Sequence, residues 1–151
     1  MLLVAFHFVS SVLSLSKRTL LDAVVEHPVE AVLSIPFLIM GLSHILQPAM
    51  WQDFFNSLHA MGARGVIWRT FALELWPAAI IVAFHQEWAW PGLILTLYGH
   101  VLMTKIGIGL IAPEIGLKSL AMAQTHGRKG FVFAGIGLCI LSLQCLLRLI
   151  L

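Results

Sequence analysis

The chain has 151 residues, of which 60% are hydrophobic and only 11% are charged. Soluble domains usually carry about 25% charged residues, so the composition argues against a soluble protein. The net charge of +2, without a long basic run, gives no indication of nucleic-acid binding. We predict an all-α integral membrane protein: a four-span domain over residues 29–151, preceded by an N-terminal apolar or interfacial segment and linker over residues 1–28.

The N-terminal part contains one short and one long apolar stretch. Residues 1–15 are too short for a span of about 20 residues and lack a recognisable cleavage site, so they are predicted to form an interfacial or loosely packed helix. Residues 29–46 are the first predicted span. Pro28 stands at its start, where a missing N–H is harmless. Pro36 lies inside it and should kink it, which membrane helices tolerate.

An amphipathic pattern follows the first span. Apolar residues recur at helical spacing from Met50 to Met61, and polar residues occupy the rest of the helix surface. This pattern is typical of a helix that lies flat at a membrane interface. We therefore predict a short interfacial helix within residues 49–61, between the first and second spans.

Three more spans are predicted at residues 66–85, 89–111 and 130–151. The second is interrupted by Pro77. A short turn with two tryptophans joins the second span to the third, so these two spans form an antiparallel hairpin. Residues 115–129 are predicted to be a polar loop that starts helically.

The last span carries small residues. Gly135 and Gly137 suit close contact between helices. Cys139 and Cys145 are six residues apart, about 9 Å along a helix axis, which is too far for a disulfide within one helix. We interpret both cysteines as small apolar residues of a membrane helix.

Basic residues near the ends of the spans predict the orientation. More of them lie on the side of loops 1–2 and 3–4 than on the other side, so these loops are predicted to be cytoplasmic. The first group is Arg64, Arg69, Lys118, Arg128 and Lys129, and the second is Lys17, Arg18 and Arg148.

Charged residues inside the spans are the main functional signal, because a charge at membrane depth is costly and rarely incidental. Depth can be counted from the turn at Trp88 at about 1.5 Å per residue. On this count Glu74 is nearly level with His100 and Lys105, and Arg69 is nearly level with Lys105. We predict one buried polar site with a mouth on the side of loops 1–2 and 3–4. The site comprises Glu74, His100, Lys105, Arg69 and His44, and the mouth comprises His59 and Glu114.

Each of these residues also has a plainer interpretation. Glu74 and Lys105 could be a structural ion pair, and Arg69 and Arg148 could extend to lipid headgroups. Lone histidines in apolar helices are commonly hydrogen-bonded core residues; His59, His85 and His126 fit loop or boundary positions. His44 and His100 differ in depth, which disfavours a shared haem. No cofactor or metal site is predicted, with haem or a quinone as the alternative, and no catalytic residue is identified.

The end of the first span has the pattern G-x-x-H-x-x-x-P, formed by Gly41, His44 and Pro48. A segment with a glycine pair, a second span, a Trp-Pro turn and a third span ending in Pro-Glu follow. From Ile35 to Ser119 this order resembles small bacterial DoxX-like membrane proteins. The resemblance implies a four-helix bundle in a bacterial inner membrane. Some members of that family are linked to sulfur and thiol oxidation, but this chain has no cysteine outside its last span, so no redox role is carried over.

Three functions agree with these features. The first is a non-enzymatic bundle, either an accessory subunit or a protein that binds a small ligand or lipid at the Glu/His/Lys site. Its partners would be the lipid bilayer and either another membrane protein or further copies of the chain. The second is an oligomeric proton-coupled carrier or channel with Glu74 and His100 as relay groups. The third is a membrane enzyme, an isomerase or oxidoreductase acting on an apolar substrate, with the same two residues as acid and base. The absence of a catalytic motif favours the first.

Overall fold

A computed structural model describes residues 21–150. The described part of the chain consists of helices and short turns and contains no strand, so the all-α prediction is confirmed. The helix predicted for residues 1–15 lies outside the described residues. Residues 21–26 are helical and lead into the first long helix.

Between Pro28 and Ile150, six α-helices and one π-helical turn follow one another. They are α1 (Pro28–Leu46), α2 (Pro48–Ala60), α3 (Ala63–Arg69), the π-turn (Thr70–Glu74), α4 (Leu75–Phe84), α5 (Leu93–Ile111) and α6 (Pro113–Ile150).

Among the residues that the structure describes, four segments are long and apolar enough to cross a membrane. They correspond to the four predicted spans, with ends that differ by a few residues. They are Pro28–Leu46, Ala63–Phe84, Leu93–Ile111 and Thr125–Ile150. Helix α2 occupies the position of the predicted interfacial helix; its depth relative to a membrane remains a prediction.

Proline and glycine set several helix boundaries. Pro28 and Pro48 begin α1 and α2, since the first residues of a helix need no N–H partner. Gly62 has a φ of 61° between α2 and α3, a conformation that residues with a Cβ rarely adopt. Pro36 lies inside α1 without ending it.

The helical start predicted for residues 115–129 is confirmed, but the loop predicted after it is wrong: α6 is helical from Pro113 and changes direction only at Gly127, with φ 55° and ψ −152°. The first part of α6 is amphipathic. Its Leu120 is fully buried against Leu58 of α2 and Val66 of α3. The charged residues Glu114 and Lys118 are exposed on the other side of this helix.

Helices α1 and α6 are in close contact at Gly41 and Gly135. A Cβ on Gly135 would lie 2.7 Å from the carbonyl oxygen of Gly41, so these two backbones touch. By contrast, a Cβ on Gly137 would have no neighbour within 4 Å, so the contact predicted for Gly137 is wrong. The Ser142 hydroxyl of α6 donates to the Ser34 carbonyl of α1 over 2.7 Å.

The largest buried apolar cluster lies among the four long helical segments. Its residues come from α1, α4, α5 and α6. These four helices also line the cavity described below. Its buried members are Val29, Leu33, Phe37, Ile81, Leu95, Leu141 and Cys145.

Candidate functional site

One carboxylate and two cations meet at the π-turn, and we call Glu74, Arg69 and Lys105 the ion cluster. Lys105 Nζ donates to Glu74 Oε1 over 2.5 Å. Arg69 Nε lies 3.4 Å from the same oxygen, without hydrogen-bond geometry. Arg69 Nη1 donates to the Ser119 hydroxyl over 3.3 Å. The Arg69 side chain is only 3% exposed, so the interpretation that it extends to headgroups is wrong.

The π-turn explains why Arg69 and Glu74 face the same way. In a regular α-helix, residues five apart point about 140° away from each other. Here the N–H of Leu75 donates to the carbonyl of Thr70, and such a widened turn brings the fifth residue nearly above the first. Pro77 follows closely. A proline ring clashes with the carbonyl four residues earlier, here that of Leu73, which favours a wider turn at this point.

A large cavity lies beside the ion cluster. It has a volume of about 710 Å³ and is lined by α1, the π-turn, α4, α5 and α6, with Phe55 of α2 at one side. Most of its lining is apolar. Polar groups reach it from Glu74, Lys105, His44 and Tyr98. The wall includes Val101, which is 68% exposed, so the cavity is open to the outside at α5.

A smaller cleft of about 300 Å³ lies on the other side of Lys105, between α5 and the first part of α6. Arg69 and Lys105 supply its cations, and Thr104 and Ser119 supply hydroxyl groups. Glu74 lines the large cavity but not this cleft. Arg69 thus faces the cleft, Glu74 faces the cavity, and Lys105 lies between the two spaces.

His44 and His100 do not join the ion cluster. The His44 ring stacks on Trp51 with centroids 4.1 Å apart, and its Nδ1 bonds to the Met40 carbonyl oxygen. His44 does line the large cavity. His100 lies near Trp88, with ring centroids 5.2 Å apart, and lines neither of the two cavities.

The separation of His100 from Glu74 has a geometric cause. His100 and Lys105 are five residues apart on α5, so they point about 140° away from each other. Because Lys105 faces Glu74, His100 faces elsewhere. Equal depth is therefore necessary for a contact but does not decide it.

The predicted mouth residues, His59 and Glu114, do not contribute to the wall of either space. His59 is half-buried on α2 and Glu114 is exposed at the start of α6.

A second polar cluster lies at the other end of the long helices. Glu30 of α1 is 3% exposed and His85, at the end of α4, is 4% exposed. His85 Nε2 lies 3.2 Å from Glu30 Oε1, and His85 Nδ1 lies 2.9 Å from the hydroxyl of Thr96. This cluster ties α1, α4 and α5 together. His85 directly follows α4, in agreement with its interpretation as a boundary residue, but its ring is buried in the cluster.

Arg148 completes this second cluster. Its Nη2 donates to Glu87 Oε2 over 2.5 Å, and its Nε lies 3.7 Å from Glu30 Oε1. The interpretation that Arg148 extends to headgroups is therefore wrong as well. The sequence did contain a signal for this cluster: Glu30 lies at the start of the first predicted span, His85 at the end of the second and Arg148 near the end of the fourth, and four alternating spans place these three ends on one side.

The second cluster also contains the described group best arranged to hold a metal ion. His27, Glu30 and Glu87 each offer one ligand atom, and these atoms lie within 4.8 Å of one another. The guanidinium of Arg148 already occupies the position between both carboxylates. An added cation would have to displace it or share its partners.

Comparisons of the chain with protein-family models, with curated proteins and with solved structures give no match. The resemblance to DoxX-like proteins therefore stays a prediction.

Proposed function

We propose that this protein is an integral membrane protein that binds a small apolar molecule or lipid in the large cavity between its four long helical segments. The observation that carries this proposal is the cavity of about 710 Å³ with the ion cluster in its wall. Binding sites for small molecules commonly have volumes of roughly 300–1,000 Å³, apolar walls and a few convergent polar groups. The cavity has all three properties.

The opening of the cavity suits a ligand that arrives from a bilayer. Val101 and Ile140 line the cavity from α5 and α6 and are also largely exposed. In a membrane these side chains would face lipid. A molecule dissolved in the hydrocarbon region could then enter sideways, without crossing water.

The polar groups give the cavity a defined orientation for its ligand. Glu74 Oε2 is buried and has no hydrogen-bond partner, which is costly unless a donor reaches it. A donor in the cavity, such as a water molecule or a hydroxyl group, would satisfy this oxygen. The ion cluster would thus lie at the polar end of a bound ligand, with the apolar part of the ligand between the helices.

The two other functions predicted from the sequence receive less support. Both the proton-coupled carrier and the membrane enzyme require Glu74 and His100 to act together, and these residues lie in different parts of the bundle. An accessory subunit remains compatible with ligand binding, since a partner could deliver or receive the molecule.

Filling the cavity tests the proposal. Gly137 lines the cavity, and a Cβ there would have no neighbour within 4 Å, so Gly137→Phe should occupy the space without displacing a helix. We expect native mass spectrometry of the detergent-purified parent chain to show one retained apolar molecule. Gly137→Phe should abolish this species.

Gly107→Phe is the matched control. Gly107 lies on α5, also has open space around its Cβ position, and does not line the cavity. It should retain the bound molecule. Equal retention by Gly107→Phe and Gly137→Phe would reject the cavity as the binding site. Separately, washing membranes with alkaline carbonate should leave the chain in the membrane fraction; its release would contradict the membrane assignment.

A further inference from the structure

The ion cluster and the smaller cleft bear on the chemical class of the ligand. We propose that the ligand is an anionic amphiphile, whose hydrocarbon chain lies in the large cavity and whose carboxylate or phosphate lies in the cleft between Arg69 and Lys105. This inference rests on the proposed function, since it requires the cavity to be a binding site.

The charge balance of the ion cluster favours an anion. Two cations, Arg69 and Lys105, meet only one carboxylate, that of Glu74. The cluster therefore carries one excess positive charge in a largely apolar part of the molecule. Such an excess is costly without a counter-ion, and a ligand carboxylate or phosphate would neutralise it.

The groups in the cleft are donors suited to an oxyanion. Arg69 Nη1 donates to the hydroxyl of Ser119, and both residues line the cleft, while the buried Nε of Arg69 faces Glu74. Lys105 is 43% exposed along its side chain, so its ammonium group can reach a ligand while remaining near Glu74. Arginine, lysine and hydroxyl groups bind carboxylate and phosphate through charge-assisted hydrogen bonds.

The carboxylate of Glu74 does not oppose an anion in this position. Glu74 lines the large cavity and is absent from the wall of the cleft. An anionic head in the cleft would thus meet the cationic side of the ion cluster and avoid its acidic side.

The two spaces are adjacent, so one molecule can occupy both. Val101 and Lys105 belong to the walls of the cavity and of the cleft. A hydrocarbon chain that leaves the cavity past Val101 reaches the cleft alongside Lys105. A neutral head would form weaker hydrogen bonds with Arg69 and Lys105 than an anionic head, and a positively charged head would be repelled.

Competition between two probes of matched chain length tests the inference. Oleate and methyl oleate are added together to delipidated protein in detergent, and native mass spectrometry measures how much of each is bound. We expect oleate to be preferred by about tenfold or more, because the methyl ester has no negative charge to pair with Arg69 and Lys105 and offers only a neutral carbonyl oxygen as acceptor. A second competition, between dioleoyl phosphatidylglycerol and dioleoyl phosphatidylcholine, distinguishes a lipid headgroup from a free fatty acid as the natural anion.

Lys105→Met should reduce the preference for oleate to a few-fold, since one of the two cations is lost. Lys118→Met is the control: Lys118 is an exposed lysine of α6 that lines neither cavity nor cleft, so its loss should leave the preference unchanged. Equal reduction by both variants would point to a general effect of positive charge and would overturn the assignment to the cleft.

The outcomes separate this inference from the proposed function. If both probes bind equally and Gly137→Phe excludes both, the cavity binds a ligand but the anionic head is wrong. If neither probe binds, or Gly137→Phe binds them as the parent chain does, the cavity proposal itself fails. The comparison of the two probes on the parent chain needs no variant, so it decides the question even if Lys105→Met does not fold.

Discussion

Glu74 holds two cations within 3.4 Å of a single carboxylate oxygen. Without Glu74, Arg69 and Lys105 would be two like charges close together, and the buried guanidinium would retain only the Ser119 hydroxyl as a partner. The carboxylate therefore has a structural role in addition to the ligand contact proposed above.

A double-mutant cycle measures this role. We expect Glu74→Gln to lower the free energy of unfolding in detergent, because breaking a buried ion pair costs about 3–5 kcal/mol in soluble proteins. The partial exposure of Lys105 should reduce the loss. Glu74→Gln combined with Lys105→Met should recover part of the stability, since only one uncompensated cation remains. Denaturant unfolding followed by tryptophan fluorescence provides the measurement. If the losses of the two single variants simply add, the two residues are not energetically coupled.

The second polar cluster shows how single residues join helices that are distant in sequence. Glu30, His85 and Arg148 belong to α1, the end of α4 and α6. Each would be an isolated polar group on its own helix. Together they satisfy most of one another's hydrogen-bonding and charge requirements, which is the usual condition for burying such groups.

At the scale of helices, the contact between α1 and α6 depends on the absence of side chains. A Cβ on Gly135 would lie 2.8 Å from Ile45 Cγ1 and 2.9 Å from His44 Cβ, in addition to its contact with the Gly41 carbonyl. Backbone and branched side chains cannot move away cheaply. Small residues are common where membrane helices pack this closely.

Gly135→Ala should therefore destabilise the bundle, because the added methyl group separates α1 from α6; overpacking of this kind costs about 1–3 kcal/mol. Gly137→Ala is the matched control two residues away. It meets no neighbour, and alanine has a higher helix propensity than glycine, so its stability should be equal or higher. Thermal unfolding in detergent distinguishes the two variants. Equal stability of both would show that the α1–α6 contact tolerates a wider spacing.

At the scale of the whole molecule, the direction in which the four long segments run determines which loops share a side. Ser57 on α2 and Lys118 on α6 are exposed near one end, and Gln86, in the turn between α4 and α5, is exposed near the other. Ser119 is less suitable for labelling, because its hydroxyl accepts from Arg69.

Labelling with a membrane-impermeant maleimide tests the arrangement in the bilayer. Ser57→Cys and Lys118→Cys should react from the same side of the membrane and Gln86→Cys from the other. The parent chain has its two cysteines in the last apolar helix and serves as the control for background labelling. Reaction of Ser57→Cys and Gln86→Cys from one side would contradict four spans. A cytoplasmic Gln86 would keep four spans but reverse the predicted orientation.

The sequence alone determined the properties that depend on neighbouring residues along the chain, such as the hydropathy of a segment. The four apolar segments could be predicted because hydropathy over about 20 residues is sufficient to identify a span. The approach of Glu74 to Lys105 was also foreseeable. Depth along a hairpin depends only on the number of residues from the turn and a constant rise per residue.

The tertiary structure alone decided which side chains face each other, because the rotation of a helix about its axis depends on what packs against it. The π-turn directed Arg69 and Glu74 to one side, while His100, at a suitable depth, faced away. The residues before Gly127, which were predicted to end in a loop, form a helix that packs on α2 and α3. The cavity likewise depends on the distances between whole helices. These distances cannot be predicted from a local pattern of residues.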